Sequence, residues 1–133
     1  MSDEEGGPGK PRAIVVGHGE FAAGLVSAVG QICGMADKLV VLSMMGMTPE
    51  DIEGTIREQL ARTGARVIFT DLPAGSATIA GRRIVKDDPG LVLVSGVNLA
   101  TLLDFVFSSG VSPTEAARAA AERGKASLIV VGR

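Results

Sequence analysis

His18 is the only histidine of this 133-residue chain, and it stands between Gly17 and Gly19. A neutral imidazole can act as a nucleophile or as a base at cellular pH. The flanking glycines remove bulk around the ring, so a reacting group can approach it closely. A lone histidine is more often structural than catalytic, so its place in the fold must decide between the two interpretations.

Two further side chains could assist this histidine. Asp71 follows an apolar run and opens the segment 71–76, DLPAGS. Its carboxylate could hold the imidazole in one tautomer and stabilise a cationic or phosphorylated ring, or it could simply cap a turn. Ser76 could cap the helix that follows it, or its hydroxyl could face an anion bound at the helix N-terminus, and these two roles are compatible.

Alternating strands and helices must position these residues. Five short apolar runs are typical of buried strands, and they span residues 13–16, 39–42, 66–70, 91–95 and 127–131. Between them apolar residues recur at helical spacing, and the pairs Thr48-Pro49 and Ser112-Pro113 mark helix starts. In the helix predicted over residues 76–86 we expect Ile79 and Val85 to face inward.

This order of elements predicts a doubly wound α/β fold, a mainly parallel sheet with helices on both faces. Ligands of such sheets bind at the carboxyl ends of the strands. The loops at that edge are 17–19, 43–47, 71–76 and 96–98, and they include His18 and Asp71. If the strand order begins 2-1-3, the first and third strands are neighbours and the Asp71 carboxylate can reach the His18 ring.

Composition and length exclude several classes of protein. We predict one domain over residues 13–133 and a flexible polar tail over residues 1–12. The 13 Lys and Arg against 15 Asp and Glu, with four Phe and no Tyr or Trp, argue against binding of nucleic acid or an anionic membrane surface. One Cys and one His cannot form a disulfide or a usual zinc site. Without an apolar run that could span a bilayer and without a secretory signal, the chain is expected to be cytoplasmic.

Two other known motifs match the sequence only in part. Residues 17–22 fit the dinucleotide fingerprint G-x-G-x-x-A, but no carboxylate follows the second strand to hold a ribose. A hydrolase triad of Ser76, His18 and Asp71 lacks the G-x-S-x-G turn around its serine. The methionines after the second strand could form an adaptable contact surface or fill the core, and they are Met44, Met45 and Met47.

Three segments together resemble one family. Residues 15–25 (VVGHGEFAAGL), 71–77 (DLPAGSA) and 95–99 (SGVNL) are similar to the first strand and active loop, the D-x-x-G-G-S/T-P loop and the G-x-N segment of a known protein. That protein is the mannose-type IIA component of the phosphoenolpyruvate-dependent sugar phosphotransferase system, whose systems carry mannose, fructose, sorbose or N-acetylgalactosamine. The resemblance runs in order over residues 13–133.

The resemblance implies a phosphotransferase with a phosphohistidine intermediate. His18 would accept a phosphoryl group from phospho-HPr and pass it to a IIB component, and Asp71 would hydrogen-bond the active imidazole. Leu72 and Ser76 would be the phosphate-binding residues. No metal or other cofactor is expected, because positioned amides can neutralise the phosphoryl oxygens.

The resemblance also implies the assembly. The strand order would be 2-1-3-4, and a last strand would be exchanged between the subunits of a homodimer, which the separate run 127–131 fits. Contact with a membrane would occur only through the transporter complex.

Two positions depart from the family pattern. Ala74 replaces the first Gly of the G-G pair, and Ala77 replaces the following Pro. If position 74 requires a positive φ, an alanine there strains the loop by roughly 1 kcal/mol. These substitutions leave two alternatives open, a non-catalytic or regulatory phosphorylatable module and the IIA-like phosphoryl-donor domain of a dihydroxyacetone kinase.

Overall fold

The structure, a computed structural model, describes residues 10–133. Most of the tail predicted over residues 1–12 therefore lies outside the described residues, and the division into tail and domain stays a prediction. The elements are β1 (Ala13–Gly17), α1 (Phe21–Cys33), β2 (Leu39–Ser43), α2 (Pro49–Thr63), β3 (Val67–Thr70), α3 (Ser76–Asp87), β4 (Val92–Ser95), α4 (Leu99–Phe107) and α5 (Pro113–Ala126). A short 3-10 turn at Ala36–Lys38 precedes β2.

The four strands form one parallel sheet in the order β2-β1-β3-β4, which confirms the predicted order. Val16 of β1 pairs with Thr70 of β3, and Gly17 pairs with Ser43 of β2. The loops that follow β1, β2 and β3 therefore leave the sheet side by side. β1 lies between β2 and β3, and all five of its residues are buried. It therefore holds the start of the loop that carries His18 in a fixed position.

Helices cover both faces of the sheet, so the doubly wound class is confirmed. Alternate residues of β1 point to opposite faces, and Val15 packs in one buried cluster with α1, α4 and α5 while Val16 packs in another with α2 and α3. In the first cluster the Phe69 and Phe105 rings meet edge to face, with centroids 5.2 Å apart. Burial on both faces explains why the strands read as continuous apolar runs.

Local sequence signals fix several helix starts. The Thr48 side chain accepts a hydrogen bond from the Asp51 N–H, and the Asp51 carboxylate accepts one from the Thr48 N–H, which completes a capping box ahead of Pro49. Ser112 likewise caps α5 by accepting from the Glu115 N–H. These two helices begin where the sequence predicts them.

The strand predicted over residues 127–131 does not form within the single chain, and its exchange between two subunits stays a prediction. Residues 127–131 form no strand, and Leu128, Ile129, Val130 and Val131 are 84%, 72%, 91% and 91% exposed. A strand needs a neighbour to satisfy its backbone hydrogen bonds, and within one described chain this segment has none. Its apolar composition therefore does not produce a strand on its own.

The predicted inward position of Ile79 in α3 also needs correction. Ile79 is 53% exposed, whereas Ile84 is 2% exposed and lies in the core. The buried positions of this helix are 77, 78, 80, 81 and 84, which follow helical spacing from a start at Ser76. Ile79 falls outside that stripe and faces solvent near the carboxyl edge of the sheet.

Candidate active site

His18 and Asp71 meet at the carboxyl edge of the sheet. The ring Nδ1 of His18 lies 2.8 Å from Oδ2 of Asp71, and the backbone N–H of His18 donates to the same oxygen, also at 2.8 Å. The strand order brings them together because β1 and β3 are paired neighbours and each residue immediately follows its strand. The contact that the sequence predicted between these residues is present.

The two partners differ in exposure. The His18 side chain is 60% exposed, while that of Asp71 is only 10% exposed. Burial by itself would raise the pKa of Asp71, but the hydrogen bonds from the backbone and ring of His18 outweigh it and hold that pKa below its usual value. Asp71 is therefore an anion at neutral pH, behind an imidazole that reaches into solvent.

An ionised carboxylate fixes the tautomer of the ring. It can only accept hydrogen bonds, so Nδ1 of His18 must carry the proton that it shares with Asp71. In the neutral imidazole the lone pair then lies on Nε2. Since Nδ1 is engaged by Asp71, Nε2 is the ring nitrogen whose lone pair is available for reaction.

Gly17 and Phe21 lie close to the pair; the sequence analysis predicted that Gly17 removes bulk near the ring, but it gave Phe21 no role in the site. A Cβ at position 17 would lie 2.8 Å from Cδ2 of Phe21 and 3.0 Å from Oδ2 of Asp71. The backbone N–H of Phe21 donates to the His18 carbonyl at 3.0 Å, where α1 begins. Glycine at position 17 thus lets the Asp71 carboxylate approach the backbone of the His18 loop.

The N-terminus of α3 faces the imidazole. The N-cap of this helix is Gly75, so no side chain caps it, and a Cβ at Gly75 would lie 3.8 Å from Cε1 of His18. Cε1 is the ring atom between the two nitrogens, so the residue at the N-cap of α3 lies beside the ring. Such a helix start is a ready site for an anion.

Ala74 in the 71–75 loop has an unstrained backbone. Gly75 has φ +132° and ψ 166°, a region that only glycine occupies readily, whereas Ala74 has no positive φ. Position 74 therefore does not require a positive φ and Ala74 causes no strain there, because the glycine that remains takes the special conformation. Ser76 is the first residue of α3 rather than its N-cap, so its predicted capping role is also wrong. Ala77, the other departure from the pattern, is buried in the helix.

Two threonines anchor the same loop, and the sequence analysis missed them. The hydroxyl of Thr78 donates to the Leu72 carbonyl and lies 2.7 Å from the hydroxyl of Thr70. Both threonines are fully buried, while the Leu72 side chain is 52% exposed. The only available signal was a pair of hydroxyl residues bracketing the loop at the end of β3 and in the first turn of α3.

The third segment of the family resemblance, residues 95–99, contains a residue with a structural role. Asn98 caps α4 by accepting from the Thr101 N–H at 2.9 Å, and its Nδ2 donates to the Gly124 carbonyl at 3.0 Å. A Cβ at Gly124 would lie 1.8 Å from Oγ1 of Thr101, so α5 packs directly on the start of α4. The hydrogen bonds of Asn98 thus join the start of α4 to the end of α5, from which residues 127–133 leave.

Metal and membrane features were also sought in the described residues. Within residues 10–133 no group of three or more His, Cys, Asp or Glu side chains is placed to hold a metal ion. None of the helices in that range has the length and apolar character needed to cross a membrane.

One family model matches most of the chain. A family model described as "PTS system fructose IIA component" matches residues 12–122. No curated protein matches the chain in sequence.

Solved structures share the fold over nearly the whole chain. The mannose/sorbose-specific IIA subunit from Enterococcus faecalis is 20% identical with a TM-score of 0.82, and the match covers 93% of this chain and 96% of that one. A putative phosphotransferase-system permease from Klebsiella pneumoniae is 27% identical with a TM-score of 0.77, covering 91% and 90%. A IIA protein associated with the fucose utilization operon of Streptococcus pneumoniae is 20% identical with a TM-score of 0.75, covering 91% and 93%.

The match to the family model extends over most of the chain and over the loops that hold His18 and Asp71. The chain therefore belongs to the mannose/fructose-type IIA family and is a phosphotransfer component of the sugar phosphotransferase system.

Proposed function

We propose that this protein accepts a phosphoryl group on Nε2 of His18 from phospho-HPr and passes it to a IIB component. The observation that carries the proposal is the hydrogen bond between Nδ1 of His18 and Asp71, with the ring 60% exposed. It fixes the proton on one nitrogen and leaves the other nitrogen as an accessible nucleophile.

The phosphoryl group moves between the two histidines without any proton being added or removed. The Nε2 lone pair of His18 forms the new P–N bond, while the P–N bond of the donor phosphohistidine breaks and its electron pair returns to the donor ring. The proton on Nδ1 stays in place, so the phosphorylated His18 ring carries positive charge. The Asp71 carboxylate stabilises that charge, and the reverse sequence delivers the phosphoryl group to the acceptor.

The N-terminus of α3 supplies the other half of the site. The helix begins at Ser76, directly after Gly75, where a Cβ would lie 3.8 Å from Cε1 of His18, and its uncapped N–H groups and the Ser76 hydroxyl would receive the phosphoryl oxygens. Leu72 belongs to the same loop, whose backbone Thr78 holds in place. The role of Ser76 and Leu72 in phosphate binding is part of this proposal.

The proposal includes a cytoplasmic homodimer. Residues 128–131 are apolar and almost fully exposed, and β4 is hydrogen-bonded to a strand on one side only. An exposed apolar segment and an open sheet edge fit each other in a second copy of the chain, because pairing there would satisfy both.

The experiment is a phosphorylation assay. The protein is incubated with enzyme I, HPr and phosphoenolpyruvate, and intact mass measures the addition of one acid-labile phosphoryl group. We expect phosphorylation of the wild type, none of His18→Ala, and loss of the group when a IIB component is added. Label that persists in His18→Ala would overturn the assignment of His18, and stable phosphorylation without transfer to IIB would replace the carrier by a regulatory module.

A further inference from the structure

Two buried threonine hydroxyls, which we call the hydroxyl pair, connect β3 to the loop that follows it. They belong to Thr70 and Thr78, which are 0% and 1% exposed, and their oxygens lie 2.7 Å apart. The Thr78 hydroxyl donates to the Leu72 carbonyl. Because a hydroxyl has only one proton to donate, the Thr78 oxygen must accept its other hydrogen bond from Thr70. The direction of both hydrogen bonds is therefore fixed, from Thr70 through Thr78 to Leu72.

The hydroxyl pair joins the two halves of the proposed site. Thr70 ends β3 and directly precedes Asp71, whose carboxylate holds the His18 ring. Thr78 lies in the first turn of α3, and the N-cap of that helix, Gly75, lies beside the same ring. A shift of the helix start relative to the end of β3 would therefore have to bend or break one of these two hydrogen bonds.

Small side chains surround Thr78 on the buried face of α3. Ala77 and Ala80 are buried there, and the first large apolar side chain of the helix that is buried is Ile84, two turns from its start. Apolar contacts have no preferred direction, whereas a hydrogen bond weakens steeply when its angle changes. The Thr78 hydroxyl is therefore the group that sets the orientation of the loop and of the helix start beside His18.

The placement of that helix start matters because the neighbouring loops offer no cation. The four loops that follow the described strands, together with the first turns of α1 to α4, contain no Lys or Arg. The first hydrogen bond of α3 runs from the Ile79 N–H to the Gly75 carbonyl at 2.9 Å, so the preceding N–H groups of the helix have no acceptor within it. A phosphoryl group carries close to two negative charges, and these N–H groups are the donors that the helix offers to them.

We propose that Thr78 is a positioning residue for phosphoryl transfer. Its hydroxyl, held by Thr70, fixes the Leu72 carbonyl and thereby sets the start of α3 at the distance from His18 at which its N–H groups meet the phosphoryl oxygens. This inference rests on the proposed function and adds to it a residue that does not touch the reacting atoms. Without the hydroxyl, the Leu72 carbonyl would turn toward water, because Leu72 is 52% exposed, and the loop would move away from the ring.

The test is Thr78→Val, which replaces the hydroxyl by a methyl group of similar size. Rapid-quench measurements at increasing phospho-HPr give the maximal rate of transfer and the half-saturating donor concentration. We expect the maximal rate to fall about tenfold, because a misplacement of about 1 Å can cost about a hundredfold and the anchored loop would shift by less. The half-saturating concentration should not change, since Thr78 is buried and cannot contact the donor protein. With phosphoramidate, a small donor whose P–N bond breaks to release ammonia, the rate should fall by the same factor.

Two further variants separate positioning from stability. Thr78→Ser keeps the hydroxyl and should transfer at the wild-type rate. Thr101→Val is the matched control, because Thr101 is also a buried threonine in the first turn of a helix, with its hydroxyl 2.7 Å from Oδ1 of Asn98. Urea denaturation should show that Thr101→Val and Thr78→Val both lose stability, while Thr101→Val keeps the wild-type rate of transfer.

Each outcome bears on one of the two proposals. If Thr78→Val does not fold, Thr70→Val tests the hydroxyl pair from its other end and should also lower the maximal rate. A wild-type maximal rate in the valine variant that folds overturns the positioning role, while the role of His18 stands. An equal loss of rate in Thr78→Ser or in Thr101→Val would trace the effect to stability and would also overturn it. If neither donor phosphorylates the wild type, the proposed function itself is overturned.

Discussion

Oδ2 of Asp71 accepts two hydrogen bonds from one residue, the backbone N–H and the ring Nδ1 of His18, both at 2.8 Å. One carboxylate oxygen thus fixes the turn after β1 and the orientation of the imidazole at once. Because the same oxygen serves both purposes, a change at position 71 should affect the chemistry of the ring more than the fold of the loop.

Asp71→Asn should slow phosphotransfer and preserve the fold. The amide oxygen of Asn can still accept the two hydrogen bonds, but the negative charge that stabilises a phosphorylated, positively charged ring is lost. Hydrogen bonds to charged groups exceed neutral ones by roughly 1–2 kcal/mol, which corresponds to a rate about five- to thirtyfold lower. Rapid-quench measurement of transfer from phospho-HPr gives the rate, and ¹⁵N NMR of the ring gives the tautomer population.

Asp88→Asn is the control for that experiment. Asp88 is likewise a carboxylate hydrogen-bonded to one side chain and one backbone N–H, here those of Arg66 and Gly90, but it lies at the opposite edge of the sheet. It should transfer at the wild-type rate. An Asp71→Asn protein with both the wild-type rate and the wild-type tautomer would show that the charge of Asp71 has no part in the reaction.

Gly17→Ala should disturb the hydrogen-bonded pair of His18 and Asp71 by steric contact, without changing the charge of the site. The new methyl group would meet Cδ2 of Phe21 at 2.8 Å and Oδ2 of Asp71 at 3.0 Å, so at least one of them must move. We expect a loss of about 1–3 kcal/mol in the free energy of unfolding, typical of overpacking, together with slower transfer. Gly24→Ala in α1 is the control, because a Cβ there meets nothing within 4 Å, and it should be neutral or stabilising. Urea denaturation of both variants measures the difference, and equal stabilities would contradict the close approach.

Gly75→Ala should weaken the start of α3. With φ +132° and ψ 166° this residue occupies a region essentially limited to glycine, and an alanine there costs about 1–3 kcal/mol. The free space at this position is sufficient, since a Cβ would lie 3.8 Å from Cε1 of His18, so the loss comes from the backbone alone. Gly54→Ala, within α2, offers the same substitution at an ordinary helical position and should gain up to about 1 kcal/mol. Thermal unfolding of the two variants should therefore shift in opposite directions, and a shift in the same direction would refute the backbone argument.

Acid should remove the contribution of the His18–Asp71 pair to stability. The pKa of Asp71 is lower in the folded chain than its usual value, so the stability it contributes is present above about pH 3.9 and is lost as the pH falls through the folded-state pKa. The difference in the free energy of unfolding between wild type and Asp71→Asn should therefore be larger at pH 5 than at pH 3. Asp88, whose pKa is lowered by Arg66 and Gly90, is common to both proteins and cancels from the difference. If the difference in the free energy of unfolding between the two proteins became larger as the pH fell, it would contradict this link between protonation of Asp71 and stability.

Val130→Asp should abolish the proposed dimer. Val130 is 91% exposed within one chain, so the substitution leaves the monomer fold unaffected, but it would place a charge in the apolar pairing between two copies. Sedimentation equilibrium should show a dimer for the wild type and a monomer for the variant. Val111→Asp, at a 48% exposed apolar residue outside that segment, should remain dimeric. A monomeric wild type at micromolar concentration would rule the exchange out.

The sequence was most informative where a residue's neighbours along the chain decide its environment. Continuous apolar runs such as residues 13–16 identify strands buried on both faces, and Thr48 or Ser112 marks a helix start because a cap acts within one turn. Placing His18 and Asp71 at the ends of their strands followed from the same runs. Their contact required one further inference, that β1 and β3 are adjacent.

Ile79 shows where this local information ends. Its spacing in the segment 76–86 was compatible with an inward position, but the rotation of α3 is set by the packing of Ala77, Ala80 and Ile84 against the sheet. A helix with several apolar residues can have more than one apolar stripe on its surface, and only contact with a neighbouring element determines which stripe is buried.

By itself, the sequence determined the class of fold, the carboxyl edge as the place for chemistry, and His18 and Asp71 as the residues there, because these depend on apolar patterning and on which residue follows each strand. Only the tertiary structure decided what depends on atoms distant in sequence. It selected Nδ1 of His18 as the nitrogen held by Asp71, placed the special backbone conformation at Gly75 rather than Ala74, and left residues 127–131 without a partner strand. Each of these follows from hydrogen bonds and steric contacts that form only when separate strands and helices pack together.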